Sequence, residues 1–257
     1  MIEIYLGQFS GGWAWEGRTQ GWTAHVTPVA GLDRWIAEIE ARHASRWRRA
    51  RVDLWLSGGL ARPFVCGPVT GLAGWLEAEA FAASGAGEAT GLETPCRVRL
   101  EEWPGRAPTV ATALDAALAE AIESFAASRR ITWRSVRPRW AAALDELLAQ
   151  RPSAMLFALA EEDALTLLCG TRDVESAVSH LQLASTYAPA PDQVHAQALW
   201  HRLMLSQDVQ PDGAWFGHLE DGAQADPAVA GAAAAAPAGE RRLAWPGVTV
   251  GVEGLSS

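Results

Sequence analysis

The stretch that decides the fold runs from Arg129 to Gly170 and reads RRITWRSVRPRWAAALDELLAQRPSAMLFALAEEDALTLLCG. A short β-rich run over 131–136 precedes apolar residues at helical spacing, which are Trp140, Leu144, Leu147 and Leu148. Pro152 then ends this helix, and the unbroken apolar run 154–160 is typical of a strand buried on both faces. A polar turn at 161–163 leads into a return strand. The stretch therefore predicts a strand, a helix and a hairpin, with a second sheet beginning after the helix.

The composition excludes several classes of protein. The chain has 257 residues, of which 49% are hydrophobic and 20% charged, so it has room for one large domain or two lobes. Its net charge of -9 argues against a general binder of nucleic acid or anionic membranes. Lysine is absent and all 21 basic residues are arginine, which excludes P-loop and Schiff-base lysine chemistry.

The cysteines and the N-terminus favour a cytoplasmic protein. The chain has three widely spaced cysteines, Cys66, Cys96 and Cys169, and an odd number without close spacing is a poor framework for disulfides. The opening MIEIYLGQF lacks the pattern of a signal peptide, and no run is long enough to cross a bilayer. We therefore expect a cytoplasmic chain without direct membrane insertion.

The N-terminal part predicts a three-stranded meander, a helix and a hairpin. Alternating apolar residues with turn glycines extend from Ile2 to Val26, with Tyr5 as an outward-facing position. One apolar helix face follows, marked by Leu32, Trp35, Ile36, Ile39 and His43. The alternating run 52–56, the Ser-Gly-Gly turn and the return run to Cys66 then read as a second hairpin, before a helix over 72–81.

The rest of the chain predicts further strands and helices around small-residue links. Residues 83–95 read as a loop, 96–103 as a strand, and Val110 to Phe125 as one face of a long helix. For 174–183 a strand and a short helix both stay open. Later segments are read as follows: a helix over 191–206, a short strand over 215–219, a flexible Ala/Gly/Pro-rich link over 223–239, and a terminal strand at Val248, Val250 and Val252.

This order of elements resembles the actin-like (ribonuclease H-like) fold. Within it, the chain is similar to the pilus-assembly protein PilM and to the cytoplasmic domain of the type II secretion protein GspL. The resemblance covers roughly residues 1–205. It rests on the opening meander and on three segments: VDLWLSGGLARPFVCGP before a helix, CRVRLEEW before a long helix, and ITWRSVRPRWAAAL before the second hairpin.

The resemblance implies an α/β, two-lobed fold with mixed sheets flanked by helices. The first lobe would span 1–128, with an inserted hairpin and helix subdomain at 52–95. The second, reduced lobe would span 129–222. The link and C-terminal strand would occupy 223–257.

The resemblance also implies a degenerate nucleotide site. In nucleotide-binding members two hairpins hold phosphates, each with an acidic residue and glycines. Here Tyr5 stands where the first acid would be, ahead of Gly7, and Glu161 of the second hairpin has no glycine until Gly170. Without these groups, support for magnesium and close approach to phosphate are both weak. We therefore expect no cofactor, no metal and no ATP hydrolysis, which would make the protein a pseudo-ATPase.

Other candidate sites have ordinary alternatives. The acidic runs Glu101-Glu102 and Glu161-Glu162-Asp163 stand beside turns, where solvated side chains are the usual explanation, although a glycosidase-like pair stays open. The six histidines show no metal-binding spacing.

The leading hypothesis is a catalytically inactive scaffold of a type IV pilus or type II secretion-like machine in bacteria. Its partner would be the cytoplasmic tail of an inner-membrane protein, which would recruit it to that membrane; a homodimer is a further alternative. We expect Trp55, Phe64 and Trp75 to anchor the partner in a groove near the 52–66 hairpin, with core packing as the alternative for each. Two other hypotheses are an ATP-binding actin-like ATPase and a stand-alone regulatory binding protein.

Overall fold

The computed structural model describes residues 1–43, 51–104, 107–148, 154–172 and 178–188, single positions between 191 and 203, and the segments 213–218, 244–245 and 248–249. Its helices are α1 (Pro28–His43), α2 (Trp75–Thr90), α3 (Ala116–Arg129) and α4 (Arg139–Leu148). Its strands are β1 (Ile2–Leu6), β2 (Ser10–Trp15), β3 (Arg18–Ala24), β4 (Val52–Leu56), β5 (Ala61–Cys66), β6 (Cys96–Leu100), β7 (Thr109–Asp115), β8 (Trp133–Pro138), β9 (Ala154–Ala160), β10 (Leu165–Arg172), β11 (Val178–Thr186), β12 (Gly213–His218), β13 (Ala244–Trp245) and β14 (Val248–Thr249).

The first sheet has five strands in the order β3-β2-β1-β4-β8. The predicted meander is confirmed, since β1, β2 and β3 pair antiparallel, while β4 lies parallel to both β1 and β8. Side chains such as Ile2, Ile4 and Leu54 point from one face of this sheet into a core shared with α1 and α3. Both helices therefore cover the same face.

The opposite face of the first sheet is also buried, which corrects the expectation for Tyr5. Tyr5 is fully buried and packs with the partly buried Trp22 and Trp55. Asp53 of β4, which pairs in register with Glu3 of β1, is also fully buried. Alternation alone did not predict this, because a Tyr and two acids on one face read as a solvated surface.

The second sheet repeats the strand order of the first. Its order is β11-β10-β9-β12, in which β9, β10 and β11 form an antiparallel meander and β12 lies parallel to β9. The predicted strand 154–160 is confirmed as β9. Of the segment 174–183, for which a strand and a helix were both open, the described residues 178–183 form part of the strand β11. The four strands thus take the positions of β3, β2, β1 and β4, as in a duplicated unit.

The hairpin predicted over 52–66 is wrong. β4 belongs to the first sheet, whereas β5 pairs with β7 at one end of a third sheet of order β5-β7-β6. The turn after β4 is tied back to β1, since the Ser57 amide donates to the Leu6 carbonyl at 2.8 Å. Because β4 is held between β1 and β8, its hydrogen bonds are already used and β5 must leave the sheet.

Two predicted boundaries are also wrong. The loop expected over 83–95 is mostly the second half of α2, because Ala78, Ala82 and Ala86 form a small-residue face that packs closely on the third sheet. Gly91, with φ of 69°, ends that helix.

The long helix expected from Val110 begins only at Ala116. Residues 109–115 form β7, and the Asp115 carboxylate caps α3 by accepting from the Leu118 amide at 2.8 Å. Val110 and Leu114 matched helical spacing, but the β-branched Thr109, Val110 and Thr112 favour a strand.

The helix α4 links the second and third sheets. Trp140 and Leu144 pack in one cluster with Val110 of β7 and with Phe157 and Leu168 of the second sheet.

In the part of the chain that the structure describes, no helix is both long and apolar enough to span a bilayer. The link over 223–239 and most of the helix over 191–206 lie outside the described residues. The domain boundaries at 128 and 222 stay predictions.

Candidate functional site

Three turns meet between the first and second sheets. The first turn joins β1 to β2 and is closed by the Gly7 amide, which donates to the Ser10 carbonyl at 2.7 Å. The second follows β4 and begins at Ser57. The third joins β9 to β10, where the Glu161 amide donates to the Ala164 carbonyl at 2.7 Å. We call this meeting point the turn junction and define it by Tyr5, Gln8, Ser57, Gly58, Glu161 and Asp163.

Two carboxylates of the third turn fill the turn junction. Glu161 is 3% exposed and Asp163 is 1% exposed, so neither faces solvent. Asp163 Oδ2 accepts from the Gln8 amide at 2.5 Å and from Ser57 Oγ at 2.6 Å. Glu161 accepts from Tyr5 Oη at 3.2 Å on Oε1 and from the Gly58 amide at 2.8 Å on Oε2. The expectation of a solvated acidic turn is therefore wrong.

The glycines of the second turn allow this close approach. A Cβ on Gly58 would lie 2.9 Å from Glu161 Oε2, and one on Gly59 would lie 2.6 Å from Asp163 Cγ. The backbone can thus come within hydrogen-bond distance of both carboxylates only because no side chain intervenes.

Burial controls the protonation of the turn junction. Desolvation, followed by the neighbouring Asp163 charge, raises the pKa of Glu161 to about 8. Desolvation also raises the pKa of Asp163, against the hydrogen bonds from Ser57 and Gln8. The pKa of Tyr5 lies well above its ordinary value because of desolvation and the nearby Glu161. At neutral pH Tyr5 is therefore a neutral donor, and Glu161 holds a proton.

The residues predicted for the degenerate hairpins come together here. Tyr5 and Glu161 are hydrogen-bonded, and a Cβ on Gly7 would lie 3.4 Å from Asp163 Oδ2. From the sequence, Asp163, Ser57 and Gly58 were identified only as turn residues, and their meeting was not predicted. No local signal identifies them, because the turn at Glu161 and Asp163 is buried by donors from distant segments of the chain.

The three predicted partner-binding residues lie in separate environments. Trp55 is partly buried beside Tyr5, with the Arg139 guanidinium 5.7 Å from its ring. Phe64 is 5% exposed and packs with α2. Trp75 is 48% exposed and meets Trp103 edge to face at 5.5 Å. The structure does not gather them into one anchor, and their partner-binding role stays a prediction.

A groove of about 390 Å³ lies between the third and second sheets. Phe64 and Val65 of β5 line one side and the β11 segment 181–184 lines the other, with Ala89 and Leu203 completing the walls. In the described part of the chain, β5 and β11 are each the end strand of their sheet. Of the predicted anchors, Phe64 borders this groove.

Comparison with known proteins identifies the fold. No protein-family profile and no curated sequence matches the chain. A Bacteroides thetaiotaomicron protein of actin-like ATPase fold and unknown function matches with a TM-score of 0.51 and 11% identity, over 89% of this chain and 84% of that one.

Two further solved structures are similar to the chain. The cytoplasmic domain of EpsL, an inner-membrane component of the type II secretion system of Vibrio cholerae, matches with a TM-score of 0.47 and 16% identity, over 84% of this chain and 81% of that one. A PilM–PilN type IV pilus biogenesis complex matches with a TM-score of 0.48 and 10% identity, over 84% of this chain and 80% of that one. Together with the repeated strand order, the Bacteroides match confirms the prediction: the chain has the actin-like fold.

Proposed function

We propose that the chain is a catalytically inactive scaffold of a type IV pilus or type II secretion-like machine. The observation that carries the proposal is the filled turn junction. The amides of Gln8 and Gly58 and the hydroxyl of Ser57 are the kinds of donor that hold phosphate in proteins. Here they bind the carboxylates of Asp163 and Glu161 instead.

Two kinds of cost oppose nucleotide binding at this place. A phosphate would have to displace the carboxylates from hydrogen bonds of 2.5–2.8 Å. Its oxygens would then have to accept from the freed amides and hydroxyl. It would also meet Asp163, whose negative charge repels an anion. The protein thus uses its phosphate-type donors to join its own sheets.

Thermal unfolding with and without about 5 mM magnesium-ATP tests the proposal. At this concentration even a weakly bound ligand raises the unfolding midpoint by mass action. We expect the midpoint to change by less than about 1 °C. The same measurement on Asp163→Gly, which removes one carboxylate and its negative charge, is the companion experiment. A rise of several degrees in the wild-type chain would contradict the proposal and favour an ATP-binding protein.

The proposed partner is a peptide segment from the cytoplasmic tail of an inner-membrane pilus or secretion protein. An extended peptide can add to a sheet edge while its side chains enter apolar pockets. The groove between β5 and β11 offers two end strands and an apolar lining. Co-purification with membrane proteins encoded beside this gene tests the partner. Two variants locate the binding site: Val65→Asp changes the groove, and Leu76→Asp changes the exposed face of α2. Loss of capture in the second variant alone would move the site away from the groove.

A further inference from the structure

Glu161, like Asp163, joins the second sheet to two separate parts of the first. Its Oε1 accepts from Tyr5 on β1, and its Oε2 accepts from the Gly58 amide in the turn after β4. The side chain is buried, and so is Tyr5. Breaking these two hydrogen bonds would leave Asp163, which accepts from the Gln8 amide and from Ser57 Oγ, to hold the third turn on the first sheet.

The groups around Glu161 favour its neutral form. Asp163 lies on the same turn, Tyr5 on β1 stays neutral, and the Arg139 guanidinium at the start of α4 provides the opposing positive charge. Glu162, also on this turn, adds negative charge nearby. Burial and Asp163 outweigh Arg139 and the two hydrogen bonds, so the pKa of Glu161 is raised to about 8.

The Thr166 hydroxyl is a further polar group beside Gly58 in this buried site. It is fully buried and has no hydrogen-bond partner among the described residues. It lies near Glu161 at Gly58, where an added Cβ would be 2.9 Å from Glu161 Oε2 and 3.4 Å from Thr166 Oγ1. Glu161 Oε2 therefore lies in an enclosed site lined by Gly58 and Thr166.

We propose that Glu161 is a proton-controlled latch, which holds the three turns together when it is protonated and lets them separate when it ionises. An ionised carboxylate in this dry site, beside the charge of Asp163, gains hydration only if the turns move apart. The latch goes beyond the proposed scaffold function and does not depend on it, because it concerns opening of the sheets and not any partner or nucleotide.

The direction of the pH dependence follows from the raised pKa. A carboxyl that binds its proton more tightly in the folded chain contributes stability that is complete below the ordinary pKa of about 4.3. That contribution falls as pH rises, by about tenfold in the unfolding equilibrium constant for each pH unit, and levels off above the folded pKa of about 8. Opening within the native state should therefore increase with pH between the ordinary pKa and about pH 8, and level off above it.

Hydrogen exchange with millisecond labelling tests the latch in the full chain, with rates divided by the intrinsic rate at each pH. Between pH 7 and pH 9, we expect protection of the segment 57–60 to fall about tenfold in the wild-type chain, since the protonated fraction falls by that factor. In Glu161→Gln, which stays neutral, protection should change less than about twofold. Glu162→Gln, a matched change on the same turn, should behave like the wild type.

Two results would overturn the latch: constant wild-type protection, or the same fall in Glu161→Gln. Should Glu161→Gln fail to fold, carboxyl carbon-13 NMR of the wild-type chain decides the matter. A glutamate that titrates near pH 8 together with the fall in protection supports the latch, and titration of every glutamate below about pH 6 excludes it. Magnesium-ATP binding is not part of this test, so failure of the latch leaves the scaffold proposal standing.

Discussion

At the scale of single residues, the buried face of the first sheet contains a second charged cluster. Asp53 on β4 is fully buried and accepts two hydrogen bonds from Arg134 and one from Ser135 Oγ at 2.7 Å. Glu3 pairs with Asp53 in register, and burial followed by the Asp53 charge raises its pKa. The Arg134 side chain is 44% exposed, so the two members of the ion pair differ in their access to water.

This difference predicts unequal effects of the two single substitutions. Arg134→Met should lower the free energy of unfolding more than Asp53→Asn does, because it leaves a buried carboxylate without its counter-ion. Asp53→Asn should cost only about 1–2 kcal/mol, since Arg134 can be hydrated and Ser135 keeps a partner. Urea unfolding at pH 7 measures both.

The matched control for this prediction is Arg97→Met, which breaks an exposed pair with Glu123. Both side chains of that pair are largely exposed, so its loss should cost no more than about 1 kcal/mol. If Arg134→Met is as mild as the control, the Asp53 cluster does not stabilise the sheet in the way described.

At the scale of elements, glycine has opposite effects in β2 and α2. A Cβ on Gly11 would lie 2.2 Å from Cη2 of Trp35 and 2.4 Å from the Tyr5 carbonyl oxygen, so α1 packs directly on the backbone of β2. A Cβ on Gly85 would meet nothing within 4 Å, and this residue is exposed inside a helix.

The same substitution should therefore destabilise one element and stabilise the other. Gly11→Ala should lower the free energy of unfolding by about 1–3 kcal/mol, since the methyl group overlaps a buried ring and a backbone oxygen. Gly85→Ala should raise it by about 0.5–1 kcal/mol, because alanine favours the helix. Thermal unfolding followed by circular dichroism compares the two, and equal effects would contradict this account of helix packing.

At the scale of the whole molecule, α4 makes the second and third sheets share a core. Trp140 is fully buried, and its Nε1 donates to the Ala61 carbonyl at the start of β5 at 2.8 Å. The residues that surround it come from β7, β9, β10 and β11. The two sheets should therefore unfold together.

Substitutions at Trp140 test this coupling. Trp140→Ala should lower the free energy of unfolding by about 3–5 kcal/mol by leaving a large cavity. Trp140→Phe should cost less, about 1–3 kcal/mol, mainly because the buried Ala61 carbonyl loses its donor. Chemical denaturation measures both. The control is Trp103→Phe at a partly exposed position, which should change the free energy of unfolding by no more than about 1 kcal/mol. A Trp140→Ala chain as stable as this control would disprove a shared core.

The actin-like order of elements could be predicted from the sequence because it depends on local patterns. The Ile2–Leu6 alternation, the helical spacing after Trp140 and the apolar run 154–160 each carry their own signal, and the structure confirms all three. The absence of the expected acid and glycines at Tyr5 and Glu161 was also visible in the sequence.

Pairing and burial, by contrast, were decided only by the tertiary structure. The separation of β4 from β5 depends on β1 and β8, which lie far away in sequence and take the hydrogen bonds of β4. The turn at Glu161 and Asp163 is buried because Gln8, Ser57 and Gly58 meet it from the other sheet. An acidic turn reads as solvated when its distant donors are unknown, so local pattern determined the elements and long-range contact determined the site.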